Sequence, residues 1–211
     1  MVTCGNGRGP RVPAADTDHG LAPAAGGDLS RGHWILVTAP LTIRVAEDAD
    51  ADSLLALVHS AYRGPSGREG WTSEADLIDG PRTTRALIAA DIADPDVTIL
   101  VAGDVLGCAA VTHAAGSPTA SFGMFAVRPG LQRGGVGSTL LRAAEDLARD
   151  RGATTMEMCV IDRRAELIDW YERRGYTRTG ETRPFPYGAE GVGEPRGDDF
   201  KFAVLQKDLS R

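Results

Sequence analysis

The chain has 211 residues and 22.2 kDa, with 42% hydrophobic and 25% charged side chains, which suits one soluble globular domain better than two. Lys plus Arg number 23 against 29 Asp plus Glu, a net charge of −6, and so sparse a positive surface argues against a general nucleic-acid binder. No apolar run approaches the roughly 20 residues that span a bilayer, no secretory signal is evident, and Cys4, Cys108 and Cys159 lack the spacing of a disulfide framework or zinc site. The expected location is cytoplasmic, without membrane, nucleic-acid or metal partners.

Residues 1–40 are rich in Gly, Ala, Pro, Asp and Arg and carry no periodicity. Such a segment buries too little apolar surface to offset its ordering entropy, and it is expected to be a disordered extension of a domain spanning 41–211. LTIRVA (41–46) alternates as a strand, and Leu54, Leu55, Leu57, Val58 and Ala61 recur at helical spacing. A polar loop over 66–83 precedes a second helix from about Thr83 to Asp91. VTILVA (97–102) and VLGCAAVTHA (105–114) flank Gly103-Asp104, which predicts a hairpin turn.

SFGMFAV (121–127) is a further strand that runs straight into QRGGVGS (132–138). Val136, Leu140, Leu141, Ala144, Leu147 and Ala148 then line one face of a helix. TTMEMCVI (154–161) is a strand, AELIDWYERR (165–174) a helix stopped at Gly175, and YTRTGET and FKFAVLQKDL (200–209) the last strands. The strand–helix–strand unit over 121–161 predicts parallel neighbours, and the hairpins antiparallel ones. A mixed α/β (α+β) sheet covered by helices follows.

A strand that enters a helix through glycines makes an anion site, because first-turn N–H groups are unpaired and no Cβ keeps a phosphate away. A Walker site would need Lys after the last glycine, and a dinucleotide fold needs GxGxxG. Neither spacing is present. A plain helix entry built from turn residues is the remaining structural reading.

Gln132-Arg133-Gly134-Gly135-Val136-Gly137, flanked by Val127-Arg128-Pro129 and Ser138-Thr139-Leu140-Leu141, resembles the acyl-CoA signature of the GCN5-related N-acetyltransferases (GNAT). Trp170-Tyr171-Glu172-Arg173-Arg174-Gly175-Tyr176 resembles that family's second signature. The likeness covers about 41–209. It implies a mixed, centrally splayed sheet flanked by about four helices. Its co-substrate would be acetyl-CoA, its acceptor the primary amine of a small molecule attacking directly in a ternary complex, and a homodimer is among its implications. A non-catalytic acyl-CoA sensor and an acetyltransferase of protein N-termini or lysines are the alternatives.

The resemblance also implies site residues. Gln132, Arg133, Gly134, Gly135, Val136, Gly137 and Ser138 would hold the diphosphate, and the backbone of Phe125, Ala126 and Val127 the pantetheine arm. A backbone N–H near Phe125 would polarise the thioester carbonyl, and Tyr171 would be the general acid. The base is open between Glu157, Glu74, His113 and a water chain, since Cys159 stands where some relatives have Glu. Arg164 stands where relatives often have Asn, and it reads either as an anion ligand or as a solvated helix start. Tyr62 and Trp71 would line the acceptor side, with the aromatic segment 184–187.

Overall fold

A computed structural model describes residues 41–62, 74, 76–132 and 134–210. The expectations for residues 1–40, for Trp71 and for Arg133 lie outside the described residues. Among the described residues, nine strands and four α-helices follow in the order β1 (Ile43–Val45), α1 (Ala51–Tyr62), β2 (Ile78–Asp79), α2 (Arg85–Ala93), β3 (Val97–Ala102), β4 (Gly107–Thr112), β5 (Thr119–Val127), α3 (Val136–Asp150), β6 (Thr155–Ile161), α4 (Ala165–Glu172), β7 (Thr177–Pro184), β8 (Glu194–Pro195) and β9 (Lys201–Asp208). A 3-10 turn at Asp48–Asp50 leads into α1.

Seven strands form one sheet in the order β1-β3-β4-β5-β6-β9-β7. Among the described residues only β5 and β6 pair in parallel, and every other pair is antiparallel. The mixed sheet with flanking helices is thus as read from the sequence. Alternation explains its two cores. Leu100, Val111, Phe122, Met156 and Met158 point one way, beneath Leu140, Leu141 and Ala144 of α3 and Ile168 and Tyr171 of α4. Ile99, Val101, Cys108 and Ala110 point the other way, beneath Leu54, Leu57 and Val58 of α1 and Ile88 of α2. Thr84 caps α2 by accepting the Leu87 N–H at 3.3 Å.

Two local expectations are corrected. The β3–β4 connection is a four-residue loop, not a two-residue turn, because Ala102 pairs with Gly107 and both Gly103 and Val105 have positive φ. The polar stretch before α2 contains β2, which pairs with β8 to form a separate two-stranded sheet. Arg196 fixes it with a bidentate pair to Asp79 at 2.7 and 2.8 Å. Two-residue strands carry too little alternation to be read in advance.

The α3 face also differs from its periodic reading. Glu145 rather than Leu147 is fully buried there. It accepts from the Tyr176 hydroxyl at 3.1 Å and from Lys207 Nζ at 2.7 Å, so α3 is tied to β9 through a charge. Glu145→Ala would leave a buried phenol and a half-covered ammonium without their partner, and is expected to cost about 2–4 kcal/mol by urea unfolding. Tyr176→Phe leaves the ion pair intact and should cost only about 1 kcal/mol; equal losses would contradict this account.

Candidate active site

The site begins where the parallel pairing ends. β5 and β6 are in register from Thr119/Thr155 to Phe122/Met158 and no further. Immediately beyond, the β4–β5 register shifts between Cys108 and Ala110, and Met124 takes φ 41°. This bulge reverses the alternation of β5. Phe122 faces α3 and α4, Met124 and Ala126 face α1, and Phe125 packs back against the α3–α4 side. β5 and β6 therefore diverge, opening a gap in the middle of the sheet.

Phe125 stands at the fork. Its carbonyl accepts the Tyr62 hydroxyl at 2.6 Å, while its ring lies 6.4 Å from that of Tyr171 and 5.8 Å from that of Trp170. The sequence-predicted Tyr62, Phe125 and Tyr171 are thus brought together. Ala126 and Val127 complete the strand up to the glycine loop.

The loop turns through Leu131 N–H to Arg128 C=O and Gly134 N–H to Leu131 C=O, both at 3.0 Å. Gly135, at φ 83°, is the residue before α3, and no side chain caps the helix. Among the described residues nothing accepts from the first-turn N–H groups of Val136, Gly137 and Ser138, which makes them a candidate anion cradle. A Cβ on Gly135 would meet nothing within 4 Å, whereas one on Gly137 would come within 3.1 Å of Phe125 Cζ. Gly135 is therefore needed for its backbone conformation and Gly137 for close packing on β5. Gln132 Nε2 donates to the Val127 carbonyl at 3.4 Å. Arg174 stacks on Trp170 at 3.5 Å and donates to Ser138 Oγ at 3.0 Å, fastening α4 to the start of α3. Arg174 was not foreseen, since it sits inside a motif valued for its tyrosine.

Tyr171 is buried, and its hydroxyl hydrogen-bonds to none of the described residues. Burial holds its pKa well above the usual value for a phenol, with Tyr62 adding to the effect and Arg164 and Arg174 opposing it. Burial likewise pushes Tyr62 up to about 12, with Arg82 opposing and Glu74 adding. Arg164, 9% exposed, is no solvated helix start: its charge acts on both tyrosines. The solvated role falls to Arg163, which pairs with Asp199 and covers the Phe200 ring.

The two predicted carboxylates have separate surroundings. Glu157 lies on the face of β6 opposite Met156 and Met158, accepting from Arg183 Nη1 at 2.8 Å and Gln206 Nε2 at 2.9 Å. Glu74 is 8% exposed and its N–H donates to the Tyr62 carbonyl at 3.2 Å. Its Oε2 is 3.8 Å from Arg82 Nε. Val58, Tyr62, Arg82, Thr83 and Met124 line a cleft beside the bulge. Arg82 carried no sequence signal. His113 is held by the Ser117 carbonyl at 2.7 Å, at the far end of β4.

The family model described as "Acetyltransferase (GNAT) family" matches residues 57–176. The chain belongs to the GNAT family. It is 29% identical over 147 residues to a streptothricin acetyltransferase of Streptomyces lavendulae, covering 70% of each chain. In fold it is similar to the ribosomal-protein-S18-alanine N-acetyltransferase of Escherichia coli, at 19% identity and TM-score 0.58, covering 82% of this chain and 96% of that one. It is also similar to yncA of Salmonella typhimurium, solved with acetyl-CoA, at 19% identity and TM-score 0.57 over the same shares. This GNAT chain is an N-acetyltransferase.

The tyrosines give a direct check on the site. Tyr62, Tyr171 and also Tyr176 have raised values, each mainly through burial. The folded enzyme is expected to keep all three protonated at pH 10.5, so absorbance at 295 nm should report ionisation of no more than one of the four tyrosines. The unfolded chain releases those protons from about pH 10. Stability is therefore fully present below that pH and should fall as pH rises above it.

Proposed function

We propose that the enzyme transfers the acetyl group of acetyl-CoA to the primary amine of a small molecule, by direct attack while both are bound. The observation that carries this is the bulged end of β5. There Phe125 stands between a phenol that no described residue engages on one side and Tyr62 with Glu74 on the other. The relative named for streptothricin supports a small-molecule acceptor.

The residues divide the work. Open amides of Val136, Gly137 and Ser138, with Gln132, Gly134 and Gly135, receive the diphosphate. Backbone groups of Phe125, Ala126 and Val127 face the gap that β6 leaves, and take the pantetheine arm as an added strand would be taken. The N–H at the bulge polarises the thioester carbonyl. Tyr171 gives its proton to the departing thiolate. Glu74, whose N–H is held by the Tyr62 carbonyl, receives the proton of the attacking ammonium on the acceptor side. Glu157, with both oxygens engaged, shapes the wall rather than acting as the base.

Tyr171→Phe removes a hydroxyl that no described residue uses, so folding and coenzyme A affinity should be unchanged while kcat falls about 100-fold or more. Free-thiol release and titration calorimetry separate the two effects. A non-catalytic acyl-CoA sensor would be indifferent to the change and release no thiol with any amine. Gly137→Val drives a branched side chain into Phe125. It is expected to weaken coenzyme A binding at least about tenfold, from displacement of the cradle worth roughly 1.4 kcal/mol or more.

A further inference from the structure

Among the described residues, none accepts a hydrogen bond from Arg82, which lies beside the acceptor cleft. Its side chain is only 23% exposed, and its guanidinium lies over the Tyr62 ring at 5.3 Å. It lines the cleft with Val58, Tyr62, Thr83 and Met124, next to the bulge. Among the described residues the nearest carboxylate oxygen is Glu74 Oε2 at 3.8 Å, beyond hydrogen-bond reach, and no carbonyl or hydroxyl accepts from it. Three other arginines of the domain are met differently. Arg44, Arg183 and Arg196 each place two nitrogens on carboxylate oxygens at 2.6–2.8 Å. A guanidinium carries five N–H donors and stays charged at any working pH. Held in a half-covered cleft, it is matched by a planar oxoanion arriving from outside.

The neighbouring charges fit the same ligand. Glu74, close behind Arg82, offers a carboxylate to an ammonium, and the buried Arg164 adds a second cation to the tyrosine pair. We infer that the acceptor carries an oxoanion as well as its amine, as an amino acid does, and that Arg82 receives that oxoanion while Glu74 receives the ammonium. The inference rests on the small-amine reading above and narrows it. Arg82 thereby becomes a specificity-determining residue. It selects against acceptors that bring only positive charge, since these leave its remaining donors unmatched and add a like charge to the cleft.

The test pairs each acceptor with a twin lacking the charge: amino acids against their primary amides and decarboxylated amines, with aminophosphinates as a second oxoanion arm. Thiol release from acetyl-CoA is the readout. The oxoanion-bearing member should be preferred about 10- to 100-fold in kcat/KM, the range of hydrogen bonds to a charged group. Preference for aminophosphinates over amino acids, or the reverse, identifies which oxoanion the cleft takes. Arg82→Gln should collapse the ratio towards one, while Arg82→Lys should keep part of it, and thermal melting confirms that both variants fold. An amide or decarboxylated amine used as well as its acid, or an Arg82→Gln variant that slows both members equally, would overturn the inference and leave the small-amine reading standing. Thiol release with no member of any pair, while coenzyme A still binds, would overturn both.

Discussion

Everything distinctive about this fold depends on where β5 and β6 stop pairing. Parallel neighbours at the centre of a sheet would ordinarily bond along their whole length, because an unpaired buried amide or carbonyl is costly. Here pairing ends after Phe122 and Met158, and Met124 adopts a left-handed φ that non-glycine residues avoid. Other groups absorb the cost. The Tyr62 hydroxyl takes the Phe125 carbonyl, and the Cys108 thiol donates to the Met124 carbonyl at 3.4 Å. With its thiol pKa pushed up to about 12 by burial, Cys108 acts as a packing and donor group, not a nucleophile.

The gap gathers chemistry because three elements end there for independent reasons. α3 starts at a left-handed glycine that no side chain caps. α4 enters from β6 through a tight turn, with Arg164 N–H on the Ile161 carbonyl at 2.9 Å. α1 ends in Tyr62, whose hydroxyl reaches across to β5. Arg174 then joins two of the three, stacking on Trp170 of α4 while donating to Ser138 of α3. The anion cradle and the phenol are thereby braced against one another. A displacement of either helix is felt at both ends of the gap.

Sequence reveals the parts of this arrangement that are repetitive or chemically singular. Alternation and helical spacing located the large sheet and all four helices, and the two motifs located the glycine loop and Tyr171. What escaped depends on contacts between distant segments. Glu145 occupies a core position because Tyr176 and Lys207 meet it from 31 and 62 residues away. Arg164 looked solvent-facing because a helix start usually is, yet packing buries it. Arg82 lies in a stretch with no motif, and only its position over Tyr62 gives it meaning. The bulge itself is invisible in SFGMFAV, since a phase reversal follows from how β4 pairs and not from local composition.

The two tyrosines of the gap show how one residue type acquires two roles. Both are held protonated by burial, but Tyr62 donates its proton to the Phe125 carbonyl while Tyr171 shares its own with none of the described residues. In water a phenol, at about 10, is a weaker acid than a thiol, at about 8.5, so proton donation to a leaving thiolate would run uphill. Burial alone steepens that climb for Tyr171. Two things lessen it. A thiolate released into the same apolar gap suffers the same loss of hydration, which raises its proton affinity in step with the phenol's. Arg164 and Arg174 also favour the tyrosinate that donation leaves behind. In the proposed role of Tyr171 as acid, the cations flanking it are part of that acid, and the phenol returns to its starting state by taking a proton from solvent once the product leaves.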